Sequence, residues 1–269
     1  MMSADDTGRN GTGSCGSGQA HESRSGSVGD GSPVAIARQA VRDAVYEKIL
    51  DRVTEDFGSD VVEAAWGEFK LGLGVLETQD AVLDPEDPEF TPTFLPWLCF
   101  QYEMDVSEVP GDPETEQLKT LCHYVSDEAS DHLSADEREF MAAAGASRFE
   151  YWRIVARHEG KVEVENLATA DRLFLEEPLL DHGEYEGMVL YAMIPNSNAQ
   201  AWLEGVGIIS LPAEIGTSIK ARTEEILAAY DHDRSRARVE VLAEYEAIYR
   251  DLYDAAALRE RSGQDEGSG

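Results

Sequence analysis

Residues 147–212 have the composition of β-strands, whereas the sequence on both sides of them has the composition of helices. The stretch contains short runs rich in β-branched and aromatic residues, two of them at 149–155 and 188–194. Turn sequences separate these runs, for example at 158–160 and 195–198. Short strands joined by tight turns predict a small antiparallel β-barrel or a curled sheet.

Helical patterning occupies the flanking regions. Apolar residues recur at helical spacing from Pro33 up to Gly58, and the pattern resumes after that glycine. Ser134 and Glu137 match a capping box at the start of a further helix. The sequence therefore predicts an α+β fold, with N-terminal helices over 33–146, the central β-region over 147–212 and C-terminal helices over 213–261. The polar segments 1–32 and 262–269 are predicted to be disordered, because they carry too few apolar residues to form a core.

The charge of the chain limits its partners. It has 22 Lys and Arg against 54 Asp and Glu, which gives a formal net charge of -32. A field of this sign repels nucleic-acid backbones and anionic lipids, so we expect no general binding to either. The charge has a second interpretation, since a carboxylate-rich surface also suits a cytoplasm of high salt concentration, where self-repulsion is screened.

The cysteines and the N-terminus bear on the compartment. Cys15, Cys99 and Cys122 are odd in number and widely spaced, which is not typical of a disulfide framework. Cys99 lies among apolar residues and is predicted to be a small core residue. The N-terminal segment lacks the apolar run of a signal peptide, and no run is long enough to span a bilayer. These features predict a cytoplasmic protein that does not enter a membrane.

Two pieces of the N-terminal segment, Gly8-Arg9-Asn10 and 15–18 (Cys-Gly-Ser-Gly), stand at a characteristic spacing. Together they resemble the SEC-C motif, a short zinc-binding segment known from the tail of the SecA preprotein translocase. Of the metal ligands in that motif only Cys15 is present, and His21 lies off the pattern. Structural zinc requires four nitrogen or sulfur ligands. We therefore predict no bound cofactor and a degenerate motif, with zinc on Cys15 and His21 as the alternative.

The most aromatic segment of the chain is 91–105. Phe94, Trp97 and Phe100 resemble a pattern found in SEC-C-containing proteins of uncharacterised function, in which a helix and a β-rich region follow. The resemblance implies a family without an established activity. We predict that Trp97, Phe100 and Tyr102 belong to an interaction surface for a protein partner.

An alternative site is a stripe of His123, Asp127 and Asp131. On a continuous helix over 113–132 these residues would lie four apart on one face, within reach of a shared divalent cation. Such a stripe is also what the solvated face of a helix looks like in so acidic a chain. The alternative function that it represents is a metal-dependent hydrolase.

Signatures of the common enzyme classes are missing from the sequence, and no catalytic residue is assigned. We favour a non-catalytic interaction or adaptor protein over an enzyme. Nucleic-acid binding by the β-region would need a basic groove, for which Arg148, Arg153 and Arg157 form the available cluster. Apolar residues in the last helix predict a monomer, or a weak homodimer through that helix. They are Val241, Tyr245, Ile248 and Leu252.

Overall fold

The computed structural model describes most of the chain. In these residues the fold is α+β, with seven α-helices, a curled sheet of seven strands and a separate pair of strands. This confirms the predicted fold class. No helix in the described part of the chain combines the length and the apolar composition needed to cross a membrane. The described residues are 33–72, 90–107, 117–158, 160–177, 180, 185–198, 200–230 and 234–266.

The N-terminal helices begin and end at local sequence signals. Helix α1 (Pro33–Phe57) starts at the predicted proline and stops before Gly58, whose φ of 84° is a conformation that favours glycine. Helix α2 (Asp60–Gly72) buries Ala65, Trp66 and Phe69 on one face. Helix α3 (Thr91–Phe100) is apolar on most sides and lies between α2 and the sheet.

The next segment differs from the sequence prediction. Strands β1 (Glu103–Asp105) and β2 (Leu118–Thr120) pair antiparallel. Helix α4 (Leu121–Glu128) starts after Thr120, whose hydroxyl accepts a hydrogen bond from a backbone amide of its first turn. The predicted continuous helix over 113–132 is therefore wrong in its described part. Leu118, which a helix over 113–132 would include, lies in β2 instead and is 54% exposed.

Helix α5 (Ala135–Gly145) carries the predicted capping box. The hydroxyl of Ser134 accepts from the Glu137 amide at 3.2 Å, and the Glu137 carboxylate accepts from the Ser134 amide at 2.7 Å. Lys48 of α1 donates to the same carboxylate at 2.7 Å. The hydrogen bond from Lys48, aided by the Ser134 bonds, lowers the pKa of Glu137 against the opposing effect of burial.

The larger sheet has the strand order β7-β8-β5-β4-β3-β6-β9. Its neighbours are antiparallel except β5 and β8, which meet in parallel at a single residue pair. Register shifts within β3 and between β6 and β9 add to the twist that curls the sheet. The strands are β3 (Phe149–His158), β4 (Lys161–Asn166), β5 (Arg172–Leu175), β6 (Val189–Met193), β7 (Asn196–Ser197), β8 (Gln200–Ala201) and β9 (Gly205–Leu211).

Both faces of the central strands are buried. On β3, Tyr151 points into the core shared with the helices, whereas Trp152 and Ile154 point into a second apolar cluster on the opposite face. Strand β6 alternates in the same way, with Tyr191 on the helix side and Leu190 on the other. This period of two fixes which side chains of the sheet can reach a site among the helices.

A buried carboxylate ties α1 to the end of the sheet. The Glu204 side chain has no exposed area and accepts from the Arg42 guanidinium at 2.9 Å. The Tyr46 hydroxyl and the Trp202 indole N–H donate to its two oxygens at 2.5 and 2.8 Å. Burial raises the pKa of Glu204, and these three donors oppose that rise.

The C-terminal helices pack on the sheet and on each other. Gly216 in α6 (Ala213–Ala229) lies so close to Val189 that a Cβ there would overlap the valine methyl group. In α7 (Arg234–Glu266), Tyr245 is buried and its hydroxyl pairs with that of Thr223 at 2.8 Å. Ile248 and Leu252 pack against the same core, so the apolar residues noted in the sequence of this helix make contacts within the chain. The helix continues to Glu266, past the predicted boundary at residue 262.

Candidate functional site

A cavity of about 350 Å³ lies where α2, α3, the larger sheet and α7 meet. Ten residues line it, and five of them are aromatic. They reach the cavity from parts of the chain that are far apart in sequence, so the folded core as a whole positions them. The lining residues are Glu68, Phe69, Leu71, Gly72, Thr93, Trp97, Phe149, Tyr191, Glu246 and Tyr249.

The aromatic walls come from two sides. Phe69 of α2 and Trp97 of α3 contact each other with ring centroids 5.3 Å apart. On the sheet and α7, Tyr191 and Tyr249 stack at 4.5 Å, and Phe149 stacks on Tyr191 at 5.3 Å. Ring faces carry partial negative charge, which makes such walls attractive to an organic cation.

Two glycines of β9 allow these walls to come together. A Cβ on Gly207 would stand 2.8 Å from the Tyr249 ring, and one on Gly205 would stand 2.6 Å from the Phe149 ring. Both approaches are shorter than side chains tolerate, so glycine is required there for the aromatic rings to lie against the strand. The Thr93 hydroxyl, which also lines the cavity, donates to the Val206 carbonyl at 2.7 Å and holds α3 against β9.

Two carboxylates stand at the mouth. Glu68 of α2 and Glu246 of α7 are both exposed, as is Leu71, at 69%. Partial removal from water raises the pKa of Glu246; the nearby Arg250 lowers it, and the Glu68 carboxylate raises it further. Burial also keeps the Tyr191 hydroxyl protonated, since its pKa lies well above the ordinary value, with Glu246 contributing to the rise. The mouth is therefore negative and the interior aromatic and neutral.

The three predicted interaction residues differ in how far they are buried and in what they contact. Trp97 is half-buried and lines the cavity. Phe100 has no exposed area and packs on Tyr46 and Phe140 in the core, so it offers nothing directly to a partner. Tyr102 is 9% exposed and contacts Trp97, with the ring centroids 5.4 Å apart and the ring planes tilted by 45°.

The predicted metal stripe is not assembled. His123 and Asp127 are exposed on α4, and Asp127 is paired with Lys119 at 2.6 Å. Asp131 lies beyond the end of that helix, in the short 3₁₀ turn Ser130–His132. Within the described residues no group of three or more His, Cys, Asp or Glu side chains is placed to hold a metal ion. The other proposed ligands, Cys15 and His21, lie outside the described residues.

Two arginines of the cluster considered for nucleic-acid binding are engaged with different partners within the chain. Arg153 is paired with the buried Glu165 at 2.9 Å, while Arg148 donates to backbone carbonyls at the end of α5. Arg172 and Lys220 contact the same Glu165 carboxylate at 3.2 and 3.5 Å.

Sequence reasoning missed Tyr249 and Glu246. Both lie on α7, whose apolar residues indicated only a packing or dimerisation face in the sequence. Tyr249 follows Tyr245 by one helical turn, so the two belong to the same face, and that spacing was the signal available. Nothing in the sequence indicated that this face would meet Trp97. Comparison with models of protein families, with curated proteins and with solved structures gave no match for this chain.

Proposed function

We propose that this protein is a non-catalytic interaction protein that takes a cationic side chain of a protein partner into the cavity between α2, α3, the larger sheet and α7. The observation that carries the proposal is the combination of aromatic walls with two carboxylates at the mouth. The aromatic walls and the carboxylates each favour a cation, and neither favours an anion. A protein partner is favoured because the cavity is small and opens beside an exposed apolar residue, Leu71, which offers contact area to a neighbouring chain.

The physical basis is the attraction of a cation to ring faces and to carboxylates. A cation over a Trp or Tyr face gains about 0.5 to 2 kcal/mol, more when water is excluded. Glu68 and Glu246 repel each other while both are ionised, so a cation between them removes a repulsion as well as adding an attraction. The net charge of -32 steers basic partners toward the protein at low salt.

The N-terminal segment 1–32, with its resemblance to the SEC-C motif, serves in this proposal as a tether whose zinc ligands have been lost. The competing function, a metal-dependent hydrolase, receives less support because His123, Asp127 and Asp131 do not share a concave site. The cavity can position a cationic side chain and complement its charge, which is what a recognition site requires.

Binding of short peptides tests the proposal. One peptide carries a central lysine between leucines, and a second carries glutamate in place of the lysine; both are labelled and followed by fluorescence anisotropy at low salt. We expect the lysine peptide to bind and the glutamate peptide not to bind. Glu246→Gln should weaken binding by about threefold to tenfold.

The matched control is Glu240→Gln, which removes the same charge from an exposed position on α7 that lines a different groove, next to Arg222. It should leave binding nearly unchanged. Equal losses in the two variants would show that only the overall field of the protein is sensed, and equal binding of both peptides would refute a cation site.

A further inference from the structure

The interior of the cavity distinguishes between kinds of cation. An unmodified lysine ammonium has three N–H donors and is strongly hydrated, so it must find acceptors wherever it loses water. Half of the residues that line the cavity contribute aromatic rings. The neutral acceptors in the lining are three hydroxyls, those of Thr93, Tyr191 and Tyr249, which replace the water around an ammonium only in part. The two carboxylates are at the exposed mouth. A cation without N–H donors would enter such an interior at a smaller loss of hydrogen bonds.

Size gives a second restriction. Cavities that hold drug-sized ligands measure about 300 to 1,000 Å³. A cavity of about 350 Å³ is near the lower limit, which suits one compact group on a narrow stem. A flat guanidinium is recognised best by a carboxylate aligned with its fork. Glu68 and Glu246 instead come from two different helices and flank the mouth.

Charge complementarity gives the third restriction on the kind of cation. The charge of a trimethylammonium group is spread over its methyl groups, which contact ring faces directly while carboxylates attract them through space. Trp97 of α3 and Tyr249 of α7 contribute rings to the cavity lining, and Glu68 and Glu246 contribute negative charge beside them.

From these three observations we infer that the cavity binds a trimethylammonium group, presented as a trimethylated lysine side chain of a protein partner. The inference rests on the proposed function and names the chemical form of the cation. The methyl groups fill the aromatic interior, and the lysine stem passes between Glu68 and Glu246 beside Leu71.

The test compares one peptide sequence with four central residues: lysine, trimethyl-lysine, arginine and the neutral isostere in which a tert-butyl group replaces trimethylammonium. Binding is measured by isothermal titration calorimetry with the full chain. We expect trimethyl-lysine to bind at least about fivefold tighter than each of the others. Because the neutral isostere has the same shape as trimethyl-lysine, the difference in affinity between these two peptides reports the contribution of charge alone.

The outcomes separate this inference from the proposed function. If lysine or arginine binds as tightly as trimethyl-lysine, the inference is wrong and the proposed function stands. If the neutral isostere binds as tightly, the cavity is an apolar anchor and the inference also fails. If none of the four peptides binds, the proposed function itself is refuted. Cavity-dependent binding to vesicles of phosphatidylcholine, in place of the peptides, would overturn the assignment to a protein side chain.

Variants connect the binding to the cavity. Trp97→Leu should abolish the preference for trimethyl-lysine over its isostere, and Trp97→Phe, which keeps a ring face, should retain part of it. Circular dichroism of both variants establishes that they fold. Glu68→Gln should weaken trimethyl-lysine binding at low salt, and this loss should shrink at high salt because the carboxylate is exposed. A preference that survives in Trp97→Leu would place the binding elsewhere and refute the inference.

Discussion

Substitution of Arg42 by methionine should destabilise the protein substantially at neutral pH. Methionine keeps much of the apolar stem of arginine and removes the charge that faces Glu204. The Glu204 side chain has no exposed area, whereas Arg42 keeps 30% of its own exposed. Breaking a buried ion pair costs about 3 to 5 kcal/mol, and the partial exposure of Arg42 places this pair at the lower end, about 3 kcal/mol. In a chain of this size that corresponds to a fall in Tm of about 6 to 12 °C.

The pH dependence of the stability loss in Arg42→Met identifies its cause. Burial raises the pKa of Glu204 above its ordinary value, and the attraction of Arg42 opposes this rise. Loss of the Arg42 charge should therefore raise the pKa of Glu204 further. A carboxyl group whose pKa is raised in the folded state destabilises the fold once it ionises. The cost therefore grows as pH increases from the ordinary carboxyl value, about 4.3, through the folded-state pKa. Urea unfolding should show a smaller difference between Arg42→Met and the wild type at pH near 5 than at pH near 7.

Two controls make the result decisive. Arg52→Met removes an arginine from the same helix whose partners Glu55 and Asp56 keep 74% and 22% of their side chains exposed, against none for Glu204. It should change stability by less than about 1 kcal/mol. In a Glu204→Gln background, Arg42→Met should cost clearly less than in the wild type. A cost that equals that of Arg52→Met, or that does not change with pH, would refute the account of this buried pair.

Three further predictions concern stability and reactivity. Ser134→Ala removes one half of the capping box and should lower the free energy of unfolding by about 1 kcal/mol, measured by urea unfolding. Gly216→Ala forces a methyl group against Val189 and should cost about 1 to 3 kcal/mol, whereas Gly67→Ala, where nothing lies within 4 Å, should be neutral or stabilising by up to about 1 kcal/mol; equal effects would contradict the packing described. Burial raises the pKa of the Cys99 thiol well above its ordinary value, so it should react with an aromatic disulfide reagent only as fast as the protein unfolds; rapid reaction in the native state would contradict this.

Local signals predicted much of the fold. The proline at the start of α1, the glycine at its end and the Ser134–Glu137 capping box act within a few residues, and each appears where the sequence placed it. The β-rich stretch was recognised because its runs alternate with turn residues. The order of the strands was not predictable in this way, since the parallel contact of β5 with β8 depends on the curl of the whole sheet.

The candidate site was only partly predictable. An aromatic segment indicated an interaction surface, but composition does not say which of its rings are buried: Trp97 lines the cavity, and Phe100 belongs to the core. Glu246 and Tyr249 join the site because α7 packs back on the sheet, a long-range contact that no short sequence window contains. The stripe of His123, Asp127 and Asp131 was misplaced for a related reason, since the helix that was to align it ends at Glu128.

The most direct test of the central claim is the pKa of Glu246, followed by NMR of its side-chain carboxyl carbon during a pH titration. Without ligand the pKa should lie above its ordinary value, because of partial removal from water and the nearby Glu68. Tetramethylammonium chloride should lower that pKa more than sodium chloride at the same concentration, since a cation held between the aromatic walls favours the ionised carboxylate. The difference between the two salts should vanish in Trp97→Leu. Equal titration curves in both salts for the wild type would contradict the account, because they would mean that the cavity does not bind the organic cation.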